Sequence, residues 1–286
     1  MFAPDLLKGK VIIVTGGGTG LGKSMARRFG ELGARLVLSS RKKEVLDKTA
    51  AEFHEHGIKD VLVAPADVRK PDEVEAMVKA TVDRFGRVDV LVNNAAGNFL
   101  QMTEKLSPNA FHTVIDIVLN GTFHCTHAVG KQMIAQGGGG SILSIVTPYA
   151  WMGSAYVVPS ACAKAGVLVM MRSLAVEWAK YKIRCNAIAP GPFPTEGAWS
   201  RLVPPGVEDM LAGITSKRIP AGRFGEHIEL ANLAVYLVAD GSGYVTGDCV
   251  TIDGGSSMMG GEFNGFIGFD QQALGQMLDA MRPKKS

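Results

Sequence analysis

The stretch Thr15-Gly16-Gly17-Gly18-Thr19-Gly20-Leu21-Gly22 ends a short apolar run and opens an amphipathic one, and such a stretch can hold phosphate. Gly16 lets the chain turn sharply, Gly20 lets backbone approach a pyrophosphate, and Gly22 lets the following helix lie close to the strand. The start of that helix offers unpaired N–H groups and partial positive charge to phosphate oxygens, with Gly18, Thr19 and Leu21 lining the same turn. The alternative is a glycine-rich turn with no ligand, and the strand–turn–helix setting argues against it. A dinucleotide's ribose is read at the end of the second strand, where an acid would bond a free 2′-hydroxyl and repel a 2′-phosphate. This chain has Ser39-Ser40-Arg41-Lys42-Lys43 there, and no acid before Glu44. A planar guanidinium at Arg41 suits a phosphate and the adenine face together, so these residues favour NADP(H) over NAD(H). Lys42 and Lys43 read equally well as solvated residues at a helix start. Asp67, with Val68 beside it, follows the third strand and either bonds the adenine amino group or caps the next helix.

A parallel α/β framework must position these groups. Val11–Val14, Arg35–Ser39, Asp60–Ala64, Val88–Val92, Ser141–Val146, Arg184–Ala189 and Cys249–Ile252 read as strands. The segments between them read as helices: Leu21–Leu32, Lys42–His56, one beginning at Pro71, a long one from Asn109 to Gln136, Ser160–Lys180 and Glu226–Val238. Short apolar strands separated by helices mean a mainly parallel seven-stranded sheet covered on both faces. The expected fold is one Rossmann-type, doubly wound domain spanning residues 1–286. Residues 191–223, rich in Pro and Gly after the sixth strand, are the expected substrate lid. Residues 254–286 form an apolar C-terminal arm, expected to contact a subunit or the lid.

Composition narrows the partners. The 286 residues are 47% hydrophobic and 20% charged with a net charge of +3, which excludes a disordered tail and gives no nucleic-acid footprint. The 35 glycines follow no triplet period, so a collagen-like chain is excluded too. Cys125, Cys162, Cys185 and Cys249 are widely spaced and read as small hydrophobes in a reducing compartment. His124 and His127 lack a third ligand at metal spacing, so no metal is expected. No apolar run reaches membrane-spanning length, and no secretory or organelle signal is recognisable, so the expected location is the cytoplasm.

Thr15 to Gly22, Asn93-Asn94-Ala95-Ala96-Gly97 and Pro190-Gly191-Pro192 together resemble the short-chain dehydrogenase/reductase family over essentially the whole chain. The resemblance implies that Asn93 stabilises the central strand. It also implies that Asn94, Ala95, Gly97 and Pro190-Gly191-Pro192-Phe193 line the cofactor pocket. That family's usual catalytic set is Asn, Ser, Tyr and Lys, with Tyr four residues before Lys. Lys164 fits the Lys, but Ser160 stands where the Tyr is expected, Thr147 where the Ser is, and Val118 where the Asn is.

A narrower resemblance accounts for the substitutions. Asn93 to Phe99, Leu106-Ser107-Pro108-Asn109, Asp116 to Thr122, Val157 to Ala161 and Ser200-Arg201-Leu202 look like the NADPH-dependent 2,4-dienoyl-CoA reductases. That subgroup keeps Ser at position 160 and places its catalytic Tyr fifteen residues before the Lys, which here is Tyr149; its partner Asn corresponds to Asn98. The resemblance implies that Tyr149 and Asn98 bind the thioester oxygen of a dienolate, that Lys164 bonds the nicotinamide ribose, and that Ser160 supports the carbonyl site. It further implies that Arg69, Phe99, Ser107 and Arg201 contact the acyl-CoA substrate, although Arg69 and Arg201 read equally as surface arginines. Tyr149 could also be a packed aromatic before Trp151. Tyr156 is a rival phenol at a spacing without precedent in the family, and Thr147 is expected to bond backbone. The product expected is a 3-enoyl-CoA, formed in the β-oxidation of unsaturated fatty acids. Alternatives are a reductase of other enoyl or carbonyl substrates, or a non-catalytic NADPH-binding scaffold. Helices over 116–136 and 160–180 match the family's usual homotetramer face.

Overall fold

The computed structural model describes residues 1–195, 197, 206, 213 and 218–282. Seven strands form one sheet: β1 Val11–Thr15, β2 Arg35–Ser39, β3 Val61–Val63, β4 Val90–Asn93, β5 Gly140–Ile145, β6 Ile183–Pro190 and β7 Cys249–Ile252. Their spatial order is β3-β2-β1-β4-β5-β6-β7, and every pairing is parallel, not merely most of them. The order reverses at β1 and β4, and the glycine-rich turn leaves the carboxyl end of β1 at that switch point, where open α/β sheets bind ligands.

The first half carries α1 Gly20–Glu31, α2 Lys43–Glu55 and α3 Pro71–Phe85. Pro71 opens α3 with Asp72 and Glu73 in the first turn, and Gly86 ends it in the left-handed conformation at φ 80°. Beyond β4 come α4 Pro108–Ile115 and α5 Gly121–Gln136, then α6 Tyr149–Met152, α7 Val158–Glu177, α8 His227–Val238 and α9 Gln271–Ala280. A large apolar cluster under one face joins Ile12, Val14, Phe29, Leu36 and Leu230; another on the opposite face joins Val11, Ile13, Leu91, Val129 and Met171. The five inner strands are largely buried on both faces, which explains their apolar character, while the edge strands β3 and β7 are half-buried.

Two expectations about elements are corrected. The helix expected over 109–136 is two α-helices joined by a π-turn at Asp116–Asn120, and it starts one residue earlier, at Pro108. Gly121, just after that turn, leaves room for β3's follow-on residue Val68: a Cβ there would stand 2.5 Å from Val68 Cγ2. The helix expected over 160–180 begins at Val158, behind Pro159, and gives way after Glu177 to a 3₁₀ turn at Ala179–Tyr181. By length and apolarity α7 could cross a membrane, yet it packs Ala163, Val167, Leu168, Met171 and Ala175 into the protein interior.

Candidate active site

The glycine-rich turn is locked by side chains from the next strand in the sheet. Thr15 Oγ1 accepts from the backbone N–H groups of Asn94 and Ala95 at 3.0 and 3.1 Å, and Asn94 Nδ2 donates to the carbonyls of Thr15 and Gly16 at 3.0 and 3.3 Å. Gly16 has φ +66°, and a Cβ on it would lie 2.7 Å from Asn94 Nδ2. A Cβ on Gly22 would lie 2.3 Å from the Gly16 carbonyl, so helix and strand meet at a distance only glycine permits. Thr19 precedes α1 without capping it through its side chain, and no acid occupies the first turn. The helix's leading N–H groups therefore face the cleft with their positive end uncompensated, a donor set that fits a dinucleotide's phosphates. Gly18 is buried beside Val45 and Leu46, and its carbonyl accepts from Thr49 Oγ1 at 2.9 Å. Leu21 packs against the first core cluster.

The carboxyl ends of β2 and β3 carry charges paired in an order that sequence alone did not reveal. Arg41 is exposed just past β2, close enough to Asp67 to lower its pKa by Coulombic attraction. Asp67 is not the cap of α3; Lys70 holds that position without a side-chain bond. Instead Asp67 receives Arg69 Nε and Nη2 at 2.9 and 2.5 Å, and its own N–H donates to Glu73 at 2.8 Å. The Arg69 guanidinium bonded to it holds the Asp67 carboxyl below the usual range, and the same pair raises Arg69. Arg69, expected to reach substrate, thus has much of its guanidinium committed to Asp67. Val68 buttresses Gly121 and offers its carbonyl to His124 Nδ1 at 3.0 Å.

At the centre, Asn93 ends β4 and donates to Thr126 on α5 at 2.9 Å and Ser144 on β5 at 3.3 Å, bonds that brace the central strand against a helix and its neighbour. Tyr149 opens the one-turn helix α6, an element absent from the sequence reading, and its hydroxyl lies 3.0 Å from Ser160 Oγ on α7. Ser160 is 2% exposed. One turn further along α7, Lys164 hydrogen-bonds the Ile145 carbonyl at the end of β5, and burial pushes its ammonium down to about 8. Phenol, hydroxyl and amine therefore gather beyond the carboxyl end of β5, with Tyr149 and Lys164 carried on different helices. Tyr156, the rival phenol, is 56% exposed in a left-handed conformation, and its carbonyl accepts from the N–H of Gln101.

The remaining expected residues fall around this centre. Gly97 backs on Ile117, where a Cβ would stand 3.1 Å from Cδ1. Asn98 Oδ1 accepts from the N–H of Phe99 at 2.9 Å, and Phe99 packs against the cluster of Val114, Val118 and Ala163. Val118, at the family's Asn position, is thus core. Ser107 caps α4 by accepting from the Ala110 N–H at 3.1 Å, a structural use that the substrate assignment did not foresee. Thr147 Oγ1 is buried and has no hydrogen-bond partner among the described residues, where a bond to backbone was expected. Arg201 and most of the expected lid lie outside the described residues.

Pro190 ends β6, and Gly191 passes so close to Asp253 that a Cβ would stand 2.5 Å from that residue's Cβ. Phe193 is buried against Gly225 while Pro192 accepts the Gly225 N–H at 3.1 Å. Thr195, which sequence reading missed, places its methyl 3.4 Å from the Cβ position of Gly20. The loop after β6 thus packs on the glycine turn at Gly20. A separate concavity of about 520 Å³ lies at the opposite, amino ends of the strands, where Lys10 pairs with Asp240 and Arg87 with Asp89. Its place in the fold separates it from the hydroxyl pair.

A parallel sheet in this order, a glycine turn at its switch point and a Ser-x-x-x-Lys helix beside it define a nucleotide-dependent oxidoreductase of the short-chain dehydrogenase/reductase family, and the chain belongs to it. The family model described as enoyl-(acyl carrier protein) reductase matches residues 16–257. A relative from Caenorhabditis elegans, named probable 2,4-dienoyl-CoA reductase 3 [(3E)-enoyl-CoA-producing], is 42% identical, covering 96% of this chain and 90% of that protein. One from Bacillus subtilis, named probable 2,4-dienoyl-CoA reductase [(2E)-enoyl-CoA-producing], is 44% identical, covering 86% and 96%. Among solved structures, a short chain dehydrogenase from Bacillus anthracis superposes with a TM-score of 0.79 at 45% identity, covering 87% of this chain and 97% of that one.

Proposed function

We propose that this enzyme reduces 2,4-dienoyl-CoA thioesters with NADPH, in the β-oxidation of unsaturated fatty acids. The observation that carries the reading is the hydroxyl pair Tyr149–Ser160 next to buried Lys164, with no phenol four residues before the Lys. Its support from relatives is that two of them, more than 40% identical over most of their length, are named for this reaction. NADPH rather than NADH is favoured by Arg41 and by the absence of an acid from Ser39 to Lys43. When bound, the cofactor supplies hydride to the terminal carbon of the diene.

The chain's own residues do the rest. Hydride addition moves negative charge to the thioester oxygen, and a phenol held by Ser160 together with the Asn98 amide supplies neutral donors to that oxygen. Asn98 can donate through Nδ2 while its Oδ1 keeps the N–H of Phe99. Lys164, as a cation, bonds the nicotinamide ribose and biases the nearby phenol towards donating. Protonation at the α carbon of the dienolate yields a 3-enoyl-CoA, and at the γ carbon a 2-enoyl-CoA. The two relatives are named for different products, and we favour the first. Arg69, Arg41 and Arg201 are proposed to meet the CoA phosphates, with Phe99 and Ser107 beside the acyl thioester. Exposed Phe123 on α5 and Val169 and Val176 on α7 favour association into a homotetramer through these helices. Free cysteines fit a reducing, cytoplasmic setting.

NADPH oxidation is to be measured with 2,4-hexadienoyl-CoA, 2-hexenoyl-CoA and simple ketones, and the product double bond located by NMR. Turnover confined to the dienoyl thioester supports the proposal, and none with any dienoyl thioester sinks it. A second reading, reduction of 2-enoyl thioesters, is favoured by the description of the matching family model and predicts turnover of 2-hexenoyl-CoA.

A further inference from the structure

Helix α8 begins with a histidine whose two ring nitrogens are both engaged, each by a different wall of the nucleotide cleft. His227 Nε2 lies 2.8 Å from the carbonyl of Pro194, in the loop after β6. His227 Nδ1 lies 2.9 Å from Ser24 Oγ, one turn into α1, and the same hydroxyl reaches the Gly20 carbonyl at 3.1 Å. A carbonyl only accepts, so Nε2 carries a proton. With a neutral ring, Nδ1 accepts from Ser24; with a charged ring, Nδ1 donates to Ser24, which then gives its proton to Gly20. Both bonds of the imidazole survive in either state. The Gly20 carbonyl is already inside the α1 ladder and loses little when Ser24 turns away.

What these bonds join is significant. Gly20 belongs to the turn that faces the pyrophosphate, at φ +52°, and Thr195 packs directly on it. Pro194 is the residue immediately before Thr195. His227 thus connects the phosphate turn, through α1, to the segment that covers it, while the Gly225 N–H to Pro192 carbonyl bond holds the same segment one step upstream. Arg223 and Glu226 cannot substitute, since both are engaged with Glu229 at the same helix start.

We propose that His227 is a positioning residue for the cofactor, setting the width of the nucleotide cleft by holding the Pro192–Thr195 wall against the glycine turn. It touches neither cofactor nor substrate; its effect passes through Pro194 and Thr195. The inference rests on the reading of the glycine turn as a nicotinamide dinucleotide site, but not on the identity of the substrate.

Two conservative substitutions separate the bonds. The amide nitrogen of Gln reproduces the reach of Nε2 and keeps the Pro194 bond, whereas the shorter Asn reproduces Nδ1 and keeps only the Ser24 bond. Binding is read by fluorescence titration of the full chain with NADPH and with NADH, scoring whichever the parent protein binds more tightly. Expected is a Kd raised about three- to tenfold in His227→Asn, the range one net hydrogen bond is worth, and near-parental in His227→Gln. Ser24→Ala, which like His227→Gln keeps only the Pro194 bond, should match that variant, and KM for the cofactor should follow Kd while kcat at saturation holds. Equal Kd in the Asn and Gln variants overturns the proposal, as does a loss of kcat in step with thermal stability. Absence of dienoyl-CoA turnover in the parent protein would instead count against the proposed reaction and leave the titration readable.

Discussion

Tyr149 and Ser160 bring their hydroxyls within 3.0 Å of each other from two different helices, the first a single turn and the second the long α7. Neither helix could hold the pair alone. Tyr149 is set by the turn that leaves β5 through Pro148, Ser160 by the first turn of α7, and Lys164 by the next turn of the same helix. The phenol can therefore donate to a substrate oxygen while Ser160 fixes its orientation.

Tyr149→Phe removes the donor and keeps the ring. Because an oxyanion-site donor is worth about 10²–10³ in kcat, turnover of the dienoyl thioester should fall by roughly that factor. NADPH affinity should stay unchanged in a fluorescence titration. A parental kcat in this variant would remove Tyr149 from the chemistry.

Arg41→Ala tests cofactor choice. Charge-assisted hydrogen bonds are worth about 1.5–3 kcal/mol, so KM for NADPH should rise on the order of 10- to 100-fold while KM for NADH moves little. Steady-state kinetics with both cofactors measure the ratio, and an unchanged ratio would refute a 2′-phosphate contact.

Lys164 makes stability depend on pH in a definite direction. Burial lowers its pKa from 10.5 to about 8 in the folded, cofactor-free protein, so the unfolded chain binds more protons between those values. The burial penalty is present in full below pH 8 and is relieved as pH rises towards 10.5. Its size is roughly 3 kcal/mol, at about 1.4 kcal/mol per pKa unit. Lys164→Met should therefore unfold at a higher denaturant midpoint than the parent near pH 7, with the gap closing by pH 10. A gap independent of pH would show that the ammonium is solvated or paired.

Gly22→Ala places a Cβ 2.3 Å from the Gly16 carbonyl, a backbone atom that cannot move aside without opening the turn. Overpacking of this kind costs about 1–3 kcal/mol. The variant should melt several degrees lower and bind NADPH weakly, while Gly275→Ala, where nothing lies within 4 Å of the added carbon, should leave cofactor binding intact. Equal cofactor affinity in the two variants would argue against close packing at Gly22.

The strand segments and the glycine turn were legible in the chain because they are local. Val11–Val14 is apolar without alternation since both faces of a central parallel strand are buried, and Gly16, Gly20 and Gly22 are demanded by backbone geometry within a few residues. The same locality made Ser160 and Lys164 readable as one helix face. What spacing could not deliver was which groups neighbour one another across the sheet. Asp67 satisfied by Arg69, Ser107 spent on a helix cap, Thr147 left without a partner, and His227 reaching both Ser24 and Pro194 all depend on where distant segments meet. Hydrogen-bonding groups choose partners by distance and direction, and those are properties of the packed chain. Residue types and periodicity determined the sheet, the cofactor turn and the set of candidate groups; only the tertiary structure decided which of those groups are already engaged by the protein.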